Sequence, residues 1–483
     1  MLINDNNLIN VEKFIISNSK STIKFSNRFC IDSRKIESGQ IFISIDSDKS
    51  KNFKNIKNSI LNGASGFVTQ FLFKRKNLKS SIPFYVQKNI NNLFHELFHV
   101  DLRSYKHKAK TIGITGTNGK TSSVLLLAQS LTHLKKKVGV ITSEGCGLYP
   151  SLDNNEYTTP PIDIIYKYYT NFVYKKYDYI IIECSSQGLY QGRVKGLLFD
   201  YACITNIHSD HLDYHKTIKN YTDSKLLILK QCKKAILNYD SSLLIKNNFN
   251  EYRNTDFFYF SIMSGKSKKI LSKYNKDNIY IHNKIINLDM NKKKYFNIYS
   301  LLMICSLLKL ENYSVRLINS SIRSLSRLLG RRQVIETKNK GTFIIDYAHT
   351  IQSYRYIYKD FKSSYHITTL FGCGGDRDPS KRVITAKIVD SNSSFSIITE
   401  DNSRTEKINS IINKISSGFK NKKRYIVIEW RKQAIKYLFI NSSNKHTNFI
   451  LGKGNENYLI KNNLKVKHND IIYLSNLINK YES

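Results

Sequence analysis

The sequence predicts an α/β protein of three domains in a row, and three observations carry that prediction. Its 483 residues are enough for about three separately packed cores. From about residue 109 the near-continuous apolar runs "TIGIT", "KVGVIT", "YDYIIIE", "YACITN" and "KKAILN" alternate with helix-length segments, the pattern of a parallel sheet buried on both faces. A second series follows from about residue 328, made of "TFIIDYAH", "HITTLFGCGGDRD", "FSIITEDNSR", "RYIVIEW" and "TNFILGKG", each run closing in polar or glycine-rich residues.

The first domain is read over residues 1–105, where "GQIFISI" and "GASGFVTQ" are strand-like and each follows a turn signal. "MLINDNNLINVEKF" carries acids and asparagines where a leader would be basic and then apolar. No run approaches the roughly 18 apolar residues of a membrane span, so a cytoplasmic protein with no membrane partner is expected. The seven cysteines are scattered without a C-x-x-C pair and read as small buried apolar residues, not as a disulfide framework or a zinc ribbon. The formal charge of +39 suggests a nucleic-acid partner at first sight. Yet the lysines are spread along the chain beside surplus Ile, Asn, Tyr and Phe, all residues of A/T-rich codons, so base composition accounts for the charge with no nucleic acid bound.

The middle domain, read over 106–327, opens on "TIGITGTNGKTSSVLLL". Thr111 to Thr115 is short, β-branched and apolar, and Ser122 to Leu134 spaces apolar residues as a helix does. Gly116, Thr117, Asn118 and Gly119 therefore sit where a strand reverses into a helix. Such a turn binds anions. Unpaired N–H groups point outward, the glycines admit phosphate oxygens close to the backbone, Lys120 supplies a point charge, and Thr121, with Ser122 after it, offers a hydroxyl to a magnesium ion. Ile114 stands six positions before Lys120, so the loop has the short Gly-x-x-Gly-Lys-Thr form.

Glu183 ends the run "YIIIE", where a carboxylate would face magnesium on the nucleotide phosphates. "TNIHSDHLDYH" then brings out His208, Asp210, His211, Asp213 and His215. The run lacks the His-Glu-x-x-His order of a zinc helix; a second metal near the transferred phosphate, with His211 as a nitrogen ligand, is the better reading.

Taken in order, "GTNGKTS", "TTP", "ECSSQGL", "TNIHSDHLDYH", "YTDSK", "GRRQ", "DYAHT", "GCGGDRD", "DNSRTE" and "GKGNEN" resemble the Mur ligases, most closely the branch that builds the tripeptide. The likeness runs from about residue 30 to the end. It implies that family's architecture: an N-terminal domain for a UDP-linked substrate, a central P-loop parallel-sheet domain, and a C-terminal Rossmann-like domain, over 328–483, for the amino acid. It also implies an ATP-dependent ligase. The carboxylate of UDP-MurNAc-L-Ala-D-Glu takes the γ-phosphoryl group, and the amine of an amino acid then displaces phosphate from the acyl phosphate. Lys120 and the loop amides would stabilise the moving charge while two Mg2+ ions neutralise the anions that meet. Thr121, Glu183, His211 and Lys225 match metal positions, Lys225 being the family's lysine that carbon dioxide carbamylates. The residues alone would read Lys225 as a solvated helix position.

By the same resemblance Asn297 in "YFNIYS" contacts adenine, and Arg331 and Asp346 reach ATP from the third domain. Ser33 and Arg34 match the uridine end, and Thr158, Thr159, Ser185 and Arg193 the muramoyl-dipeptide end, of the UDP-substrate. Members that add meso-diaminopimelate carry Asp-Asn-Pro-Arg, whose arginine pairs with the distal carboxylate; lysine-adding members lack it. Here "DNSR" supplies Asp401, Asn402 and Arg404, with Arg377, Gly452 and Glu456 around the other contacts. Ser403, Gln187, Ile351 and Ser300 depart from the family's pattern, as does "SDKSKN", which lacks a Gly-His near the uridine site. A lysine-adding or folylpolyglutamate-synthetase-like ligase is the nearest rival, a basic nucleotide-dependent nucleic-acid binder the rival of another class. A monomer acting on small molecules is expected.

Overall fold

The computed structural model describes residues 2–4, 14–18, 28–46, 48–78, 80–87, 108–241, 244, 249–263, 269–275, 278–281, 283–287, 295–361, 364 and 366–482. Three main sheets succeed one another along the chain. The first has five short strands, all parallel, in the order Leu2–Asn4, Phe84–Gln87, Gly66–Thr69, Ile41–Ile43, Phe29–Cys30. "GQIFISI" and "GASGFVTQ" supply two of them. The expected boundary at 105 and 106 lies outside the described residues.

The middle sheet contains β1 (Lys110–Thr115), followed by helix α1 (Lys120–His133), β2 (Val138–Thr142), β3 (Tyr179–Glu183), β4 (Phe199–Ile204), helix α2 (Ile218–Leu226), β5 (Cys232–Asn238) and β6 (Asp256–Ser261). Its central order is β6-β5-β4-β1-β3-β2, and every pair in it is parallel. The five apolar runs thus become β1 to β5. The all-parallel expectation needs one correction: short antiparallel ribbons flank the core on both sides, Gly145–Leu148 with Ser151–Asp153 and Ile270–Asn275 with Asn278–Ile281 and Lys284–Ile286. These segments are too short and too polar to stand out from loops. Leu126, Leu127 and Leu131 of α1 share one core with Ile112 and Ile114 of β1 and with Leu302 and Ile304 of α3 (Ile298–Leu310). Each such buried side chain contributes about 1.5–3 kcal/mol relative to exposure.

In the third sheet β7 (Thr342–Asp346), β8 (Ile367–Phe371) and β9 (Phe395–Ile398) precede helix α4 (Arg431–Ile440), β10 (Thr447–Leu451) and helix α5 (Asp470–Glu482). The order is Gln333–Glu336, β7, β10, β8, β9, Tyr425–Val427, parallel except at the first pair. Parallel winding gathers the carboxyl ends of the strands, and the loops after them, on one edge of each sheet. Among the described residues no helix is long and apolar enough to cross a membrane.

Candidate active site

The loop after β1 turns as its glycines require. Gly116 adopts φ 149° and Gly119 φ 83°, and a Cβ on Gly116 would stand 1.9 Å from Thr205 Oγ1. Asn206, two residues past the end of β4, holds the loop, its carbonyl accepting from Thr117 N at 2.9 Å and its Oδ1 from Asn118 N at 3.0 Å. Lys120, Thr121 and Ser122 begin α1 and line a cavity of about 620 Å³ together with Thr117, Asn118 and Gly119. Asn297, Arg331, Asp346, Glu183, His211 and Thr158 line the same cavity. Twelve of the residues that the sequence assigns to nucleotide, metal and UDP-substrate, Lys120 among them, therefore share one cleft between the middle and third sheets.

Lys120 Nζ donates to the Gly116 and Thr117 carbonyls at 3.0 and 3.1 Å, and Lys225 Nζ to the same Gly116 carbonyl at 2.8 Å. Lys225 is 1% exposed, which overturns the solvated-surface reading that its residue type alone invites. Burial first, and then the nearby Lys120 ammonium, push its pKa well below a lysine's ordinary value. His211, in a left-handed conformation with φ 50°, is lowered by burial to about 4 and is a neutral imidazole at pH 7. Burial opposes ionisation of Asp210, yet His211, His349 and Lys381 hold its carboxyl well below the usual range.

Thr121 Oγ1 donates to Glu183 Oε1 at 2.9 Å, and Glu183 Oε2 accepts from Thr142 and, at 3.2 Å, from Ser143 N. A hydroxyl, a carboxylate and a neutral imidazole are suitable donors for magnesium. Among the described residues no three His, Cys, Asp or Glu side chains cluster to hold a metal ion, so a zinc site of the His run finds no support. A set with Lys225 in it requires that lysine to become an anion, and a neutral amine is the form whose nitrogen lone pair attacks carbon dioxide, losing a proton to give the carbamate. Asn118 Nδ2 and Arg331 Nε are buried donors without a protein partner, as a phosphate-binding cleft needs.

A second cavity, of about 130 Å³, lies at the carboxyl ends of the third sheet and is lined by Arg377, Asp401, Asn402, Arg404, Gly452 and Glu456. All six amino-acid residues expected from the sequence are thus together. Arg404 Nη1 donates to the Gly375 carbonyl at 2.6 Å, and Arg377 Nη1 meets Asp213 Oδ2 of the middle domain at 2.7 Å. Asn402 Oδ1 accepts from Lys453 Nζ at 2.9 Å and Ile460 N at 2.8 Å, and Glu456 Oε1 accepts from the Tyr347 hydroxyl at 2.9 Å. Lys461 pairs with Glu400 at 2.5 Å and lies 4.4 Å from the Trp430 ring. His211, Tyr347, His349 and Glu456 line both cavities, so the two adjoin along these four side chains.

The remaining expected residues stand beside the clefts without lining either. Thr159 Oγ1 donates to the Glu183 carbonyl at 2.8 Å and accepts from Ser185 N at 2.8 Å; Arg193 Nη1 donates to the Thr159 carbonyl at 2.6 Å. Ser33 is buried and Arg34 exposed, the latter paired with Asp32 at 2.8 Å. Their loop reaches the same network: Lys35 Nζ and the Arg193 guanidinium lie 5.6 and 5.8 Å from the Tyr157 ring. Sequence reasoning missed Tyr347 and His349, which stand inside "DYAHT", and Lys453, inside "GKGNEN". It also missed Lys381, whose bond to Asp210 at 2.8 Å joins two domains and carries no sequence signal.

Residues 114–308 match the Mur ligase middle domain, and residues 330–454 match the Mur ligase, glutamate ligase domain. The UDP-N-acetylmuramoyl-L-alanyl-D-glutamate--2,6-diaminopimelate ligase of Wigglesworthia glossinidia brevipalpis is 33% identical, over 98% of this chain and 99% of its own. That of Buchnera aphidicola subsp. Acyrthosiphon pisum is 32% identical over 95% and 96%. A solved structure of a ligase with the same name superposes with a TM-score of 0.62 at 25% identity, covering 94% of this chain and 95% of that one. Since the likeness spans the phosphate loop, the amino-acid cavity and nearly the full length at this identity, the chain belongs to the Mur ligase family.

Proposed function

We propose that the protein is an ATP-dependent acid–amino-acid ligase that adds meso-diaminopimelate to UDP-MurNAc-L-Ala-D-Glu during peptidoglycan precursor synthesis. The observation that carries this reading is that the nucleotide cleft adjoins, along the residues both share, a cavity lined by two guanidiniums, Arg377 and Arg404. The names of the full-length relatives support the same substrates.

An oxygen of the substrate's terminal carboxylate attacks the γ-phosphorus and ADP departs with the electron pair of the broken P–O bond; the neutral amine then attacks the acyl carbon, the oxyanion so formed re-forms the carbonyl as phosphate leaves with the C–O bond pair, and the nitrogen's extra proton passes to the departing phosphate. Gly116 to Ser122 cradle the phosphates, Lys120 turns from the loop carbonyls to the γ-phosphoryl, Asn297 takes adenine, and Arg331 and Asp346 close from the third domain. Thr121, Glu183, His211 and a carbamylated Lys225 would hold Mg2+, which when bound neutralises charge between the two anions. Ser33 and Arg34 hold the uridine end, and Thr158, Thr159, Ser185 and Arg193 the muramoyl-dipeptide. Arg404 takes the distal carboxylate of diaminopimelate, with Arg377, Asp401, Asn402, Gly452 and Glu456 around its two ends. Domains at 1–105, 106–327 and 328–483 divide these tasks, and the protein works as a cytoplasmic monomer on small molecules, without nucleic acid.

The test is ATP-dependent phosphate release with UDP-MurNAc-L-Ala-D-Glu, comparing meso-diaminopimelate with L-lysine. Release with diaminopimelate and little with lysine is expected. Preference for lysine would refute the amino acid, and no release with either would refute the ligase.

A further inference from the structure

Arg431, the first residue of α4, is fully buried. Asp470, the first residue of α5, grips its guanidinium in a fork, Nε 2.9 Å from Oδ1 and Nη2 2.7 Å from Oδ2. His468 Nε2 lies 2.7 Å from that same Oδ1. The guanidinium also donates outward, Nη1 to the Glu400 carbonyl at 3.2 Å and Nη2 to the Leu451 carbonyl at 2.9 Å. Those two residues directly precede Asp401 and Gly452 of the amino-acid cavity.

The Leu451 carbonyl ends β10 and the Glu400 carbonyl lies two residues past the end of β9; the two strands are not neighbours, because β8 lies between them. No ladder hydrogen bond therefore ties their loops together. Yet the loops approach so closely that a Cβ on Gly452 would stand 2.5 Å from Asp401 Oδ2. Side-chain bonds from Asn402 to Lys453 and Glu456 cross between the loops, and at their bases one planar cation bonds both backbone carbonyls. Stability alone is a poor reason for the arrangement, since replacing a buried ion pair with well-packed apolar side chains is often neutral or stabilising.

We infer that Arg431, oriented by Asp470 and His468, is a positioning residue for the amino-acid substrate: it fixes the gap between the 401–404 and 452–456 loops, and with it the length of ligand whose two polar ends fit across them. The inference rests on the ligase reading above. Arg431→Lys keeps the charge and loses the fork; Asp470→Asn and His468→Gln loosen the fork from behind. In the full-length variants, KM for diaminopimelate should rise about tenfold to a hundredfold while KM for ATP stays within about threefold. A folded variant with unchanged KM for diaminopimelate, or equal changes in both KM values beside a lowered thermal midpoint, would overturn it. If Arg431→Lys fails to fold, the other two variants decide. Wild-type enzyme is the control: no phosphate release there strikes the ligase reading, whereas normal release with unaltered variants strikes the brace alone.

Discussion

At Gly116 one carbonyl oxygen accepts from two lysines at once, which brings two amines side by side so that the charge of Lys120 disfavours that of Lys225. Lys225, the more deeply sealed, is the one whose proton is held most loosely, and only a neutral amine forms a carbamate. Lys225→Ala should abolish phosphate release, and formate or acetate should restore part of it by standing in for the carbamate. An ammonium acting only as a salt-bridge partner predicts no such rescue. Arg404 makes a second residue-level case, because its backbone is left-handed, φ 53°, and its guanidinium lines a cavity in which the neighbouring Asn402 is already held by Lys453 and Ile460. Arg404→Ala should cost about 2–5 kcal/mol in kcat/KM for diaminopimelate, roughly 30-fold to several thousandfold, with ATP binding little changed. Normal use of diaminopimelate by this variant would disprove the assignment.

Among the elements, β1, β3 and β4 are pinned at the end away from the chemistry. Glu311, just after α3, accepts from Lys110 Nζ at 2.7 Å and from the Tyr179 and Tyr201 hydroxyls, each at 2.5 Å. Burial opposes ionisation, but the bonds from Lys110, Tyr179 and Tyr201 leave its carboxyl below the usual value. A lowered folded-state pKa gives stability that is fully present above the unfolded value of roughly 4.3 and drains away as the pH falls below it. Glu311→Gln should therefore lower stability by about 1–3 kcal/mol at pH 7, and the difference from wild type should close toward pH 4 and below in denaturant titrations. A pH-independent difference would mean that packing, and not the charge, is what Glu311 supplies. The strands it pins were legible because long β-branched runs have no other stable home, and α1 because a phosphate turn precedes apolar residues at helical spacing. The edge ribbons and the Arg431–Asp470 fork were not legible: the first are too short to show a period, and the second joins residues 39 positions apart through a contact that only the fold creates.

For the whole molecule, the third domain is tied to the middle one by Arg377–Asp213 at 2.7 Å, Lys381–Asp210 at 2.8 Å, Asn455–Glu144 at 2.6 Å and Thr350–Asn118 at 3.0 Å. Their burial differs, and so should their worth. Asp213 and Arg377 are over a third exposed, whereas the Asp210 side chain is 12% exposed. Asp213→Asn should change stability by about 0–1 kcal/mol and Asp210→Asn by about 1–3 kcal/mol. Calorimetry should then show the third domain's transition parting from the middle domain's in the Asp210 variant alone; the reverse ranking would show that burial does not set the strength of these ties. Trp430, the chain's one tryptophan, precedes Arg431 and sits under Lys461, whose other partner is Glu400 at the head of the amino-acid loop. Its indole thus stands one contact from that loop while 56% exposed. A shift of the loop on substrate arrival should move the ammonium across the ring, and the emission of this one indole, excited at the red edge apart from the 32 tyrosines, is then expected to change as the cavity fills, without turnover and without a label.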